Sequence, residues 1–173
     1  PRSDDPEKDL RLKTELFNSP KDRAEHLMIV DLLRNDFGKI CKTSSIQVKD
    51  LYHIESFKTI HHMVTKIIGK LKGQIKETDI IRALFPGGSI TGAPKESAMT
   101  IIDQLENYNR DIYTGSAGYI CDNGDMYFNI CIRTLLKLKQ DYKYGIGGGI
   151  VWDSNTKDEW HEAHQKSKIL ELL

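Results

Sequence analysis

Four carboxylates in two matched pairs are the residues of this chain best placed to do chemistry. Asp22 and Glu25 stand three apart, and so do Glu159 and Glu162. At that spacing both members of a pair project from one face of a helix. Two such faces brought together would gather four negative charges around one point, which repulsion forbids unless a cation sits among them. An all-oxygen donor set, with water filling the remaining positions, suits Mg²⁺ better than Zn²⁺. Spacing alone also allows each pair to be a solvated helix face with lysine partners, the commoner use of such pairs. His53, Glu55, His61 and His62 offer further donors, but nothing in their spacing resembles a zinc site.

The second chemical feature is the run Phe-Pro-Gly-Gly-Ser-Ile-Thr-Gly-Ala-Pro-Lys at 85–95. Apolar residues at 98, 99, 101, 102 and 105 follow it with helical spacing. A glycine-rich loop therefore feeds a helix whose first turn is expected to hold Pro94. Free amides and the helix dipole at such a start can receive an anion. Gly87 and Gly92 have the spacing of a phosphate-binding P-loop, but Ala93 and Pro94 stand where lysine and a hydroxyl residue are required. The loop suits a carboxylate or small polar ligand approached by backbone; a turn without a ligand is the alternative.

The elements that must hold these groups follow from periodicity. A short helical pattern runs through Leu10, Leu12, Leu16 and Phe17, and Ser19-Pro20 caps and opens a helix expected to end near Asp36. Alternation predicts strands at 40–42 and 45–52, and apolar spacing predicts a helix over 59–71 and a short one over 78–84. Strands are expected at 115–121, 126–137 and 142–152, with a hairpin turn at 122–125 in which Gly124 takes positive φ. Gly145, Gly147, Gly148 and Gly149 weaken the last of these strands, so close backbone approach by a ligand is the expected compensation. Asp153, Ser154 and Asn155 cap a final helix.

At 173 residues and 39% hydrophobic content, the chain can bury one sizeable core. Its 25 basic and 25 acidic residues balance, so no charge field points to nucleic acid or to a membrane surface. No apolar run approaches transmembrane length, and no signal-peptide pattern opens the chain. Cys41, Cys121 and Cys131 are odd in number and lack CxxC spacing, which favours reduced thiols and a cytoplasmic location. The chain begins on Pro1 in a polar, aspartate-rich run and reads as a piece of something longer.

Several segments together resemble one family. The run from Lys21 to Asp36 (Lys-Asp-Arg-Ala-Glu-His-Leu-Met-Ile-Val-Asp-Leu-Leu-Arg-Asn-Asp) is similar to a segment of chorismate-utilising enzymes. So are residues 85–95, Ile132-Arg133-Thr134, Gly147-Gly148-Gly149-Ile150-Val151, and the ending from Glu159-Trp160-His161-Glu162 to Lys166. The motifs come in the family's order over essentially the whole chain.

That resemblance implies an α/β (α+β) fold, antiparallel sheets in a two-layered core with helices outside. Residues 1–173 would form the C-terminal part of a chorismate-binding catalytic domain, exposing sheet edges and apolar surface when isolated. It also implies a bound Mg²⁺ holding the ring carboxylate of chorismate, with Glu25 and Glu162 as metal carboxylates and Asp22 and Glu159 in support. His62 would lie beside the reacting ring and Lys166 near the substrate's carboxylate end. Tyr113 and Arg133 would meet the enolpyruvyl carboxylate, and Ser89 with the Gly147, Gly148 and Gly149 backbone would complete the pocket.

Within the family, the wording of the 85–95 loop and of Gly115-Ser116-Ala117-Gly118-Tyr119 resembles aminodeoxychorismate synthases. The implied activity is amination of chorismate to 4-amino-4-deoxychorismate for p-aminobenzoate and folate synthesis, with ammonia from a glutamine amidotransferase subunit. Anthranilate formation is the enzymatic alternative, and a non-catalytic chorismate-binding or structural segment is the alternative of another class. The family's Pro-Ile-Lys-Gly-Thr segment, whose lysine separates the two reactions, is expected to fall before Pro1.

Overall fold

The computed structural model describes residues 1–152, 154–168 and 170. Among them helices alternate with antiparallel strand pairs, as the mixed-fold expectation requires. The chain divides into two compact units, Pro1–Gly88 and Ser89–Leu173.

The first unit opens with α1 (Pro6–Asn18) and α2 (Pro20–Ile40). Asp5 caps α1 by accepting the Glu7 and Lys8 amides, and Ser19 caps α2 by accepting the Asp22 amide. Proline occupies the first turn of each, where its missing donor costs nothing. Helix α2 continues past Asp36 to Ile40, because Phe37 and Ile40 belong to the unit's apolar core with Cys41, Ile46, Ile75, Ile80, Ala83 and Leu84. Packing of that kind outweighs one helix-interior glycine, Gly38, which costs about 1 kcal/mol.

Strands β1 (Gln47–Ser56) and β2 (His61–Ile68) form an antiparallel hairpin. The helix expected over 59–71 is therefore corrected to a strand. Its apolar positions fit both periods, but the run is rich in β-branched residues and its burial alternates at the start, with His61 and Met63 in and His62 out. The expected strand at 40–42 reduces to a bridge between Cys41 and Leu71. The hairpin contains a bulge: Lys49 pairs with Lys66 and His53 with Val64, leaving Asp50, Leu51 and Tyr52 opposite Thr65 alone. Asp50 and Tyr52 take φ of 53° and 62° there. Helix α3 (Glu77–Leu84) then leads to the glycine-rich loop. A Cβ on Gly88 would stand 2.9 Å from Leu32 Cδ1, so glycine lets this loop lie directly on α2.

A 3₁₀ turn at Gly88–Ile90 leads into the second unit and then α4 (Lys95–Leu105), with Pro94 at the capping position, one residue before the helix. Strands β3 (Ser116–Ile120) and β4 (Met126–Ile130) pair across the expected turn, where Gly124 has φ of 87°. The long strand expected over 126–137 is two strands. Arg133, at φ 50°, breaks it, and β5 (Leu135–Leu138) pairs instead with β6 (Asp141–Tyr144). Strand β6 stops before Gly145, so the four glycines form extended loop rather than strand. Helix α5 (Thr156–Ser167) begins at Asn155, whose side chain accepts the Lys157 amide; Asp153, expected in the cap, lies outside the described residues. Each described sheet has two strands, and large apolar side chains stand open in this unit, Trp152 at 99% exposure. Such surface is the kind another segment or chain covers.

Candidate functional site

In the first unit the early face of α2 and the start of β2 meet around a pocket of about 250 Å³, lined by Asp22, Glu25, His26, His61 and His62, with Leu16, Ile29 and Met63 as apolar wall. Asp22 and Glu25 reach it together because they sit one helical turn apart just inside the N-terminus of α2. Glu25 pairs with Lys21 Nζ at 3.9 Å, an exposed pair that contributes little. His62 comes from β2, opposite Glu55 and 6.4 Å ring to ring from Phe57.

His26 was not singled out by sequence reasoning, although it follows Glu25 directly. Its Nε2 lies 2.7 Å from Thr65 Oγ1, and that oxygen accepts the Tyr52 amide at 3.1 Å. Arg23, three residues earlier on the same face, stacks its guanidinium over the Tyr52 ring at 4.3 Å. Together Arg23 and His26 grip the bulge of β1. Burial, and then the neighbouring charge of His62, hold the His26 imidazole below its ordinary pKa. It walls the pocket beside the carboxylates.

In the second unit α5 and the glycine segment meet. Lys166 Nζ lies 2.6 Å from Glu162 Oε1 and donates to the Gly147 carbonyl at 3.0 Å. Glu159 accepts the Ser154 hydroxyl at 2.7 Å, and a Cβ on Gly148 would stand 3.1 Å from Glu159 Oε2. Glu159, Glu162, Lys166 and the Gly147–Gly148 backbone are thus gathered. Tyr113 joins them from the loop after α4: its ring occupies the side of Gly145, and its hydroxyl would be 2.6 Å from a Cβ on Gly147. The group that closely approaches Gly145 and Gly147 is therefore this tyrosine, while Gly149 is open on its Cβ side.

The Tyr113 loop is clamped by Arg110, again unforeseen. Arg110 Nε and one terminal nitrogen donate to both oxygens of Glu106 at 2.7 and 2.6 Å, and its other terminal nitrogen reaches the Ile90 carbonyl at 3.1 Å. That bidentate bond holds the Glu106 carboxylate below the ordinary range, while burial raises the Tyr113 phenol above its own. Glu106 and Arg110 both lie past the end of α4, so helical spacing does not foretell the pair. Arg133 and Ser89 are exposed, Arg133 between β4 and β5 and Ser89 in the turn preceding α4.

Among the described residues no three His, Cys, Asp or Glu side chains gather as ligands around one point. The donor set nonetheless fits magnesium in its chemistry. Every candidate is a carboxylate oxygen, and Asp22 and Glu25 share one pocket. Cys41, Cys121 and Cys131 are free thiols. Among the described residues no helix is long and apolar enough to cross a membrane.

A sequence model of the chorismate binding enzyme family matches residues 1–171, and the chain belongs to that family. It is 45% identical over 170 residues to anthranilate synthase component 1 of Saccharolobus solfataricus, covering 98% of this chain and 40% of that protein. It is 46% identical over 174 residues to aminodeoxychorismate synthase component 1 of Escherichia coli, covering 100% of this chain and 38% of that protein. The crystal structure of anthranilate synthase component I from Streptococcus pneumoniae is similar with a TM-score of 0.88 at 39% identity, over 94% of this chain and 37% of that one. The chain thus spans about two fifths of the length of the curated relatives it matches.

Proposed function

We propose that the intact protein aminates chorismate to 4-amino-4-deoxychorismate, a step toward p-aminobenzoate and folate, using ammonia released by a glutamine amidotransferase subunit. A C–N bond forms at ring C4, the C4–O bond breaks, and the hydroxyl leaves as water with a proton from the nitrogen. The observation that carries this reading is the end-to-end family match over residues 1–171, which includes every candidate site residue. The wording of the 85–95 loop favours this reaction within the family. Anthranilate formation is the second reading, supported by the 45% identity to the Saccharolobus enzyme.

In this scheme Glu25 and Glu162, supported by Asp22 and Glu159, hold Mg²⁺. When bound, the ion neutralises a substrate carboxylate and acts as a Lewis acid on an oxygen. His62 moves a proton at the reacting ring, a role that its place beside Glu25 in one pocket supports. Lys166 supplies positive charge at a substrate carboxylate. Tyr113 and Arg133 receive the enolpyruvyl carboxylate, and Ser89 and the Gly147, Gly148 and Gly149 backbone line the pocket. Three free thiols support a reducing, cytoplasmic setting.

The test uses the full-length protein with chorismate, Mg²⁺ and ammonium, and identifies the product by chromatography and mass. Conversion to aminodeoxychorismate supports the proposal, anthranilate the second reading. Chorismate bound but unchanged would leave a binding or structural role. Adding glutamine and the amidotransferase subunit in place of ammonium tests the nitrogen source.

A further inference from the structure

A second set of polar groups in the first unit centres on His61, which borders the pocket but has no part in the proposed reaction. His61 is buried, its side chain only 3% exposed, with both ring nitrogens engaged. Nε2 lies 3.0 Å from Asp9 Oδ1 on α1, and Nδ1 lies 2.9 Å from Ser56 Oγ, its rung partner on β1. The same Asp9 oxygen accepts from Arg2 Nε at 2.7 Å and from the Ser3 amide at 3.1 Å. Arg2 also laces the hairpin turn: its amide donates to the Thr59 carbonyl at 3.1 Å and its guanidinium to the Phe57 carbonyl at 2.8 Å. The Arg2 hydrogen bond is the main reason Asp9 sits far below the usual carboxylate range, so Asp9 is an acceptor only. Nε2 therefore carries the proton and donates it to Asp9.

The hairpin needs such a clamp. Two histidines stand in tandem at the start of β2, and in a strand adjacent side chains face opposite ways. The bulge at residues 50–52 interrupts the ladder, so pairing at Gln47–Lys49 does not by itself dictate pairing at His53–Ser56. In the observed register the imidazole of residue 61 meets both Asp9 and Ser56, tying the start of β2 to α1 as well as to β1.

We propose that His61 is a positioning residue: clamped between Asp9 and Ser56, it ties the start of β2 to α1 and so holds His62 at the carboxylate pocket. The inference rests on the proposed function in taking His62 as the group that moves a proton. The experiment is a double-mutant cycle in the full-length protein, with Asp9→Asn and His62→Ala made singly and together, measuring kcat and KM for chorismate with saturating ammonium. Asp9→Asn should lower kcat about tenfold with KM changed less than about twofold, and should lower kcat less than about twofold further when His62 is already alanine. A purely structural role would lower kcat equally in both backgrounds, and that result, or an unchanged kcat in Asp9→Asn, overturns the proposal.

Amide hydrogen exchange gives a readout apart from activity. In Asp9→Asn, and in Ser56→Ala should the first variant fold poorly, the 61–64 amides should exchange about tenfold faster while those of α3 keep their protection. Unchanged exchange at 61–64 overturns the clamp. If the unaltered protein leaves chorismate untouched, it is the proposed function that fails, and the exchange result alone decides the clamp.

Discussion

Substituting Gly145→Ala tests how the second unit builds its side of the site. The added methyl would meet Cγ and Cδ2 of the Tyr113 ring and stand 2.7 Å from Tyr113 Cβ. Carbon atoms in contact prefer about 3.5–4.0 Å, so the tyrosine must retreat by about 1 Å or the glycine segment must move away from it. Overpacking of this kind costs about 1–3 kcal/mol. At about 2–4 °C per kcal/mol, the thermal midpoint should fall by several degrees. The retreat also takes the Tyr113 hydroxyl from beside Gly147, where it is proposed to meet the substrate. Losing one hydrogen bond worth about 1.4 kcal/mol would raise KM for chorismate about tenfold. Scanning calorimetry and steady-state kinetics on the full-length variant read both effects. The decisive comparison is Gly145→Ala in a Tyr113→Ala background, where the methyl has nothing to strike and should cost almost nothing further. An equal loss in both backgrounds, or an unchanged midpoint and KM in the single variant, would refute the packing argument.

Other expectations are equally direct. Glu162→Gln keeps shape and removes one charge, so Mg²⁺ affinity by titration calorimetry should fall at least about tenfold, and Mg²⁺-dependent turnover with it, while the thermal midpoint holds within a few degrees. Arg110→Ala removes the bidentate bond to Glu106 and the bond to the Ile90 carbonyl, leaving a half-buried carboxylate unpaired; a loss of about 2–4 kcal/mol in denaturant unfolding is expected, with Arg110→Lys intermediate. Asp9 and Glu106 both have native pKa values held below their unfolded ones, so their stabilisation is fully present above about pH 4–5 and is lost as pH falls through the native values. The thermal midpoint should drop across that acid range, and less steeply in Asp9→Asn.

Most of the helices could be read directly, because caps and period agree: Ser19-Pro20 opens α2, and the apolar run at 98–105 forms α4. The error at β2 arose where the two periods coincide. Apolar residues at 60, 63, 64, 67 and 68 satisfy helical spacing, and only pairing with β1, a long-range contact, selects the strand. Strand ends were lost for a similar reason. Nothing local announces that Arg133 will take positive φ, or that β6 will release the chain before Gly145. The candidate site residues were legible as motifs; in the first unit Asp22, Glu25 and His62 line one pocket, and in the second Glu159, Glu162 and Lys166 lie around the glycine segment. The supporting residues were not legible. His26, Arg110, His61 and Asp9 matter through partners far away in sequence or across a loop, and single-residue chemistry gives no warning of that.

The most direct test of the central claim is where nitrogen ends up. Full-length protein would be given chorismate, Mg²⁺ and ¹⁵N-ammonium, and the product examined by NMR without further enzymes. Amination at C4 predicts ¹⁵N bonded to that ring carbon with the enolpyruvyl group still attached and the ring not yet aromatic. An aromatic product carrying ¹⁵N beside its carboxyl-bearing carbon would contradict the account, as would chorismate recovered unlabelled.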